Sequence, residues 1–167
     1  MLIGEAPGMN EDRQGIPFVG AAGNFLTELI AEAGWRREDV YICNVLKCRP
    51  PGNRDPLPNE IEACDSYLEE QLAMVDPLIL ISLGRFSMAR YFPNARISKV
   101  HGQHRMVDGR LFVPMYHPAA ALHQGSLRQT IVEDFRKLPA LLEQARSLRH
   151  PAIEEPVSEP EQMRLFE

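Results

Sequence analysis

The chain has 167 residues, 44% hydrophobic and 25% charged, with a net charge of −5 at pH 7. These values suit one globular domain with an ordinary core and exclude a fibrous or wholly disordered chain. No apolar run reaches the length of a membrane span and no signal-peptide core follows Met1, so a cytoplasmic protein without membrane attachment is expected.

An acidic balance argues at first against nucleic acid. The charge is uneven, however: from His150 to Glu167 five acids face one Arg, so this stretch carries −4 of the total. The body is near neutral and can still hold a local basic patch for phosphates. The three cysteines, Cys43, Cys48 and Cys64, are an odd count and read as reduced thiols in a cytoplasmic chain.

In chain order, Leu2 and Ile3 read as the end of a strand, and Gly4 opens a turn. Residues Gly4 to Gly20 hold four glycines and two prolines, which forbid a regular helix or strand there, and three acids: Glu5, Glu11 and Asp12. Ala21 to Gly34 has apolar residues at helical spacing (Phe25, Leu26, Leu29, Ile30, Ala33) and a glycine stop. Val40 to Val45 reads as a buried strand, followed by a breaker-rich loop from Lys47 to Pro56. A helix from Pro58 to Met74 carries the stripe Ile61, Cys64, Tyr67, Leu68 and Leu72.

Pro77 to Leu83 is almost continuously apolar, the mark of a central parallel strand, and Gly84 ends it. A short helix, Arg85 to Tyr91, precedes a polar, irregular stretch, Phe92 to Gly109. Arg110 to Met115 is a further strand that runs into His117-Pro118, and the last helix spans Ser126 to Leu148. Strand, loop and helix thus alternate about four times. The expected fold is α/β: a three-layer αβα sandwich on a central four-stranded parallel sheet, residues 1–149. Residues 150–167, rich in Pro and acids, read as a disordered tail.

The polar loops would gather at the carboxyl edge of such a sheet, where open α/β sheets bind ligands. Glu5 and Glu11 can polarise water or stabilise a cation. Phe18 can stack on a planar ring. Asn44 has an amide that donates and accepts at once. Lys47, Arg49 and Arg54 can meet phosphates, and His117 can donate to a developing anion. Together they suit a flat heterocycle on a phosphate backbone. Singly, each is as well explained by surface, core or turn.

Three motifs carry a resemblance. They are Gly4-Glu5-Ala6-Pro7-Gly8 with Pro17-Phe18-Val19-Gly20, then Asn44 to Pro56 (NVLKCRPPGNRDP), then His117-Pro118-Ala119-Ala120. In this order they resemble the family 4 uracil-DNA glycosylases, from Gly4 to about Ala145. The resemblance implies an enzyme that flips uracil out of DNA and cleaves its N-glycosidic bond. In that reading Phe18 stacks on uracil, Asn44 reads its edge, and His117 hydrogen-bonds O2 as negative charge develops there. Members elsewhere in the superfamily place an Asp where this chain has Ala6. The work of holding water and stabilising the sugar cation then passes to Glu5, Glu11 or Asn53, with Glu11 favoured. Leu122 is placed like a wedge that fills the hole left by the flipped base. A relative that binds uracil-containing or single-stranded DNA without cleaving it is the alternative reading. Superfamily members that link covalently to DNA carry a His in an inserted loop after the second motif, and here Arg49 to Pro56 has no His.

The family also holds a four-iron–four-sulfur (4Fe-4S) cluster on four Cys. Cys48 and Cys64 match two of them, and the other two precede the first strand in the family. The expectation is an upstream segment with a Cys pair, beyond a start codon assigned too late; a truncated relative without the cluster is the other reading. Finally, Gln162-Met163-Arg164-Leu165-Phe166 resembles the bacterial sliding-clamp-binding pentapeptide, with Gln162, Leu165 and Phe166 as its anchors. The expected protein is a monomer at the nucleoid, with uracil-containing DNA and the clamp as partners.

Overall fold

A computed structural model describes residues 1–149. The tail 150–167, with Gln162, Leu165 and Phe166, lies outside the described residues. The described elements begin with β1 (Leu2–Gly4), α1 (Met9–Gln14), α2 (Ala21–Glu32), β2 (Ile42–Asn44), α3 (Pro58–Val75) and β3 (Ile79–Leu83). They continue with α4 (Arg85–Ala89), α5 (Ile97–Val100), β4 (Arg105–Val107), β5 (Arg110–Met115), α6 (Pro118–His123), α7 (Leu127–Arg136) and α8 (Leu138–Arg149).

The sheet has the order β2-β1-β3-β5-β4. Four strands are parallel, as expected. The fifth, β4, is an antiparallel edge strand paired to β5 through Arg105–Phe112, Met106–Leu111 and Val107–Arg110. It arises from the Asp108-Gly109 hairpin turn, whose φ values of 49° and 74° suit a two-residue loop. The stretch before it was expected to be irregular, although Asp-Gly is a turn signal.

The strands are buried almost throughout, and successive side chains face two separate cores. Leu2, Ile79, Ile81, Leu83, Leu111, Val113 and Met115 face the layer that holds α2, α7 and α8. Ile3, Leu80 and Phe112 face the opposite layer, with Leu68 and Leu72 of α3. A strand's period of two puts successive side chains on opposite faces, so these runs serve both layers at once.

Three further boundaries differ from the sequence reading. The opening loop contains a helix, α1, because its breakers fall at the ends: Gly8 is the N-cap, and Gly15 takes the left-handed C-cap at φ 68°. The long last helix is two, split after Arg136, with Pro139 in the first turn of α8 where a missing N–H costs nothing. Residues Pro118 to His123 form α6, with Pro118 at its first position. The carboxyl ends of β1, β2, β3 and β5 all open onto one edge, and the four polar loops converge there.

Candidate active site

A cleft of about 650 Å³ lies at that edge, lined by Glu5, Glu11, Phe18, Asn44, Asn53, Arg54, Asp55, His117 and His123 among others. It brings together residues from all three sequence motifs.

Asn44 is the last residue of β2 and pairs in register with Gly4 of β1. A β-carbon at Gly4 would stand 2.4 Å from Asn44 Oδ1 and 2.7 Å from the Phe18 ring. Glycine at the end of β1 therefore lets the amide and the aromatic ring close over the strand end. Asn44 is only 7% exposed. Its Oδ1 is buried and accepts no hydrogen bond from the protein. A buried acceptor without a donor costs about 1–3 kcal/mol, which a ligand N–H can recover.

Phe18 is also 7% exposed and has φ 56°, a left-handed conformation that a bulky residue adopts only under constraint. Its ring centroid lies 5.5 Å from that of His117, with the planes 27° apart. Arg37, in a 3₁₀ turn at Arg37–Asp39, donates from Nη2 to the carbonyls of Pro17 (2.7 Å) and Phe18 (2.9 Å). Gly23 of α2 makes room below, since a β-carbon there would stand 2.0 Å from the Phe18 carbonyl oxygen.

His117 is the N-cap of α6, and its Nδ1 accepts from the Ala119 N–H at 3.1 Å. With Nδ1 an acceptor, the neutral ring carries its proton on Nε2. Burial lowers the imidazole pKa to about 4, against the opposing pull of the Glu11 charge. The side chain is thus a neutral Nε2–H donor at physiological pH. Gly84, at φ 94°, gives it space: a β-carbon there would stand 3.2 Å from His117 Cβ.

Three carboxylates border the cleft. Burial alone would raise the Glu11 pKa, but hydrogen bonds from backbone N–H groups outweigh it and hold the pKa below the usual range. Two of these come from Val19 and Gly20, at 3.0 and 3.2 Å from Oε1. Glu11 therefore anchors the loop that carries Phe18 as well as facing the cleft. Glu5 is raised, chiefly by burial and then by the charge of Asp55, with Arg85 opposing. Asp55, which sequence reasoning passed over, pairs with Arg85 across the mouth.

The basic residues divide. Lys47 does not reach the cleft: its Nζ donates to the Asn44 carbonyl and to Gln71 Oε1, both at 2.6 Å. Having turned inward behind Asn44, it does not present the phosphate contact expected of it. Arg49 is half-buried and donates from Nε to Asn53 Oδ1 at 2.6 Å. Arg54 lines the cleft and forms a two-pronged pair with Glu60, at 2.9 and 2.7 Å. Leu122 is 49% exposed on α6. Asn53 has φ 55° and lines the cleft.

Cys48 and Cys64 border a separate hollow of about 180 Å³, with Leu46, Arg49, Pro50, Glu60 and Ala63. Cys43 cannot join them: it packs in the core with Ile3 and Val45, and burial pushes its thiol up to about 11. No group of three or more His, Cys, Asp or Glu is placed to hold a metal among the described residues. Two thiols by themselves do not complete a four-thiolate cluster.

Sequence reasoning missed Arg37, Gly23 and Asp55 as site residues and read Gly4 and Gly84 only as the ends of strands. Gly23 left a signal of its own, as a glycine inside a helical pattern. The others act through contacts between segments far apart in sequence.

A family profile described as the uracil DNA glycosylase superfamily matches residues 1–138. The chain is 48% identical over 151 residues to a type-4 uracil-DNA glycosylase of Archaeoglobus fulgidus, covering 84% of this chain and 75% of that protein. It is 46% identical over 151 residues to the type-4 enzyme of Sulfurisphaera tokodaii, covering 84% and 69%. Against the type-4 enzyme of Thermotoga maritima it is 40% identical over 147 residues, covering 85% and 77%. With the three motifs gathered on one cleft and relatives this similar over most of both chains, the protein belongs to the uracil-DNA glycosylase superfamily.

Proposed function

We propose that this protein excises uracil from DNA by hydrolysing the N-glycosidic bond, which starts base excision repair. The observation that carries the reading is the buried, unpartnered Asn44 Oδ1 beside the Phe18 ring, in the same cleft as the neutral His117. A base flipped into this cleft stacks on Phe18. Asn44 accepts from uracil N3–H and donates to O4. Cytosine presents the opposite pattern on that edge and leaves the amide mismatched, at a cost of about 1–3 kcal/mol per unmet group.

As the C1′–N1 bond breaks, its electron pair goes to the departing uracil and the sugar gains oxocarbenium character. The Nε2–H of His117 stabilises the charge on O2 by donating a hydrogen bond while the neutral ring keeps its proton. Water adds to C1′ and passes a proton to a carboxylate of the cleft, and the uracil anion takes up a proton from solvent. In this scheme the ionised Glu11 and the half-buried Glu5 stabilise the cation and hold that water, with Asn53 lining the same cleft. Arg49, Arg54 and Leu122 supply the DNA contacts in this scheme, and Leu122 fills the gap left in the stack.

The finer readings rest on less. Cys48 and Cys64 would be two ligands of the family's 4Fe-4S cluster, with two further thiolates needed beyond this chain's own three cysteines. The Gln162, Leu165 and Phe166 anchors would tether a monomeric enzyme to a sliding clamp at the nucleoid. A pull-down in which removal of residues 162–167 leaves clamp capture unchanged removes that tether from the scheme. No helix among the described residues is long and apolar enough to cross a membrane.

The test is direct. The protein is incubated with a uracil-containing oligonucleotide, and the product is treated with alkali. Strand breaks that disappear with His117→Ala support the reading. No breaks from the folded wild type favour a protein that binds such DNA without cleaving it.

A further inference from the structure

We propose that Arg37 is a positioning residue for base stacking: its guanidinium locks the Phe18 backbone in the left-handed conformation that turns the ring into the cleft. The proposal rests on the reading of Phe18 as the uracil platform.

Arg37 lies outside all three motifs and does not line the cleft. All of its polar contacts run to the Phe18 loop and to α2 beneath it. Nη2 donates to the carbonyls of Pro17 and Phe18, at 2.7 and 2.9 Å. Nη1 donates to Thr27 Oγ1 at 3.0 Å and reaches the Gly23 carbonyl at 3.5 Å. No carboxylate pairs with it among the described residues, and burial lowers its pKa. A partly desolvated guanidinium spent on backbone carbonyls is an unusual use of a charge on a surface turn. A planar fork can hold two adjacent carbonyls at once, whereas an ammonium can hold them only as a point charge.

What those carbonyls need is a restraint. Phe18 sits at φ 56°, where a bulky residue is strained. Each neighbour adds one part of the restraint. Glu11 accepts from the N–H groups just after Phe18, at Val19 and Gly20. Arg37 donates to the carbonyls at and before it. Gly23 leaves the space into which the Phe18 carbonyl fits. The strained residue is thus held from both sides, by an anion on its following amides and by a cation on its carbonyls.

The experiment measures single-turnover uracil release by the full chain for Arg37→Ala, Arg37→Lys, Phe18→Ala and the double variant Phe18→Ala/Arg37→Ala. Arg37→Ala is expected to slow release by about 10-fold or more while affinity for undamaged duplex stays within about 2-fold, because misplacing a contact disturbs the chemical step more than binding. Arg37→Lys recovers part of the rate, and ethylguanidinium added to Arg37→Ala recovers part as well. In the Phe18→Ala background, Arg37→Ala adds no further loss. A wild-type rate in Arg37→Ala overturns the proposal, and so does a loss that multiplies with that of Phe18→Ala. Amide exchange by NMR gives a readout independent of activity. The Val19 and Gly20 amides exchange faster in Arg37→Ala while Leu80 and Val113 are unchanged; equal exchange at all four overturns the proposal. If the wild type releases no uracil, the functional reading fails by itself, and the exchange measurement still decides the role of Arg37.

Discussion

Gly4 and Asn44 are register partners at the carboxyl ends of β1 and β2, and the place of the missing Gly4 side chain is taken by the Asn44 amide oxygen, 2.4 Å from an ideal β-carbon. The Phe18 ring occupies the same space from the other side, at 2.7 Å. One absent methyl group thus sets the positions of both the Asn44 amide and the Phe18 ring. Gly4→Ala is expected to leave the fold intact and to lower uracil release by about 10- to 100-fold, since both groups must shift. Single-turnover kinetics beside a thermal melt checks this.

Asn44→Asp keeps the shape and replaces an amide donor with an acceptor. The uracil O4 then faces a carboxylate oxygen and one hydrogen bond becomes a repulsion. A loss of at least about 10- to 100-fold in kcat/KM follows from about 1–3 kcal/mol per mispaired group. Competition between uracil- and cytosine-containing oligonucleotides measures the change in discrimination.

His117 has two consequences that differ in pH. Its folded pKa, lowered by burial to about 4, lies below the ordinary value of 6.5. The unfolded chain therefore binds a proton as pH falls through 6.5, before the folded one does. The stability this site contributes is complete above pH 6.5 and is lost progressively toward pH 4. His117→Ala is expected to flatten that part of the stability curve in denaturant titrations at several pH values. In catalysis, the neutral Nε2–H donor persists down to the lowered pKa. His117 itself should thus add no inflection near 6.5 to the pH–rate profile. Removing the donor by His117→Ala should cost about 10²–10³-fold in rate.

Leu122 stands 49% exposed on α6, just after His117 and Pro118. If it fills the gap behind a flipped base, Leu122→Ala slows release from duplex DNA by roughly 10-fold and leaves single-stranded substrate nearly unchanged, because only the duplex must be held open. Parallel assays on the two substrates check this.

Phe112 gives a stability prediction remote from the cleft. It is fully buried on the α3 side of the sheet, against Tyr91 and Phe92. Phe112→Ala should destabilise the protein by about 3–5 kcal/mol through lost transfer energy and the cavity left behind. Denaturant unfolding measures it.

Much of this could be read from the chain. The apolar run Pro77 to Leu83 marked a central parallel strand, and the breaker-rich loops after the strands marked the site edge. Glu11, Phe18, Asn44 and His117 were selected by residue type and motif, and all four line one cleft. The reading failed where local signals compete with tertiary ones. Glycines taken as breakers of any helix between Gly4 and Gly20 instead cap α1. Lys47 looks like a phosphate ligand by its neighbours Arg49 and Arg54, yet Asn44 and Gln71 claim its ammonium.

By itself the sequence determined the strand and helix periodicity, the motifs and the family, because these reside in side-chain identity and short-range spacing. Tertiary structure alone decided three matters: that His117 is a neutral Nε2–H donor, that Phe18 is held left-handed by Arg37, Glu11 and Gly23, and that Asn44 Oδ1 is left without a partner. Each depends on burial and on donors or acceptors brought from distant segments. Proton position, strain and hydrogen-bond satisfaction come from that packed surrounding and are not properties of a residue in its local stretch of chain.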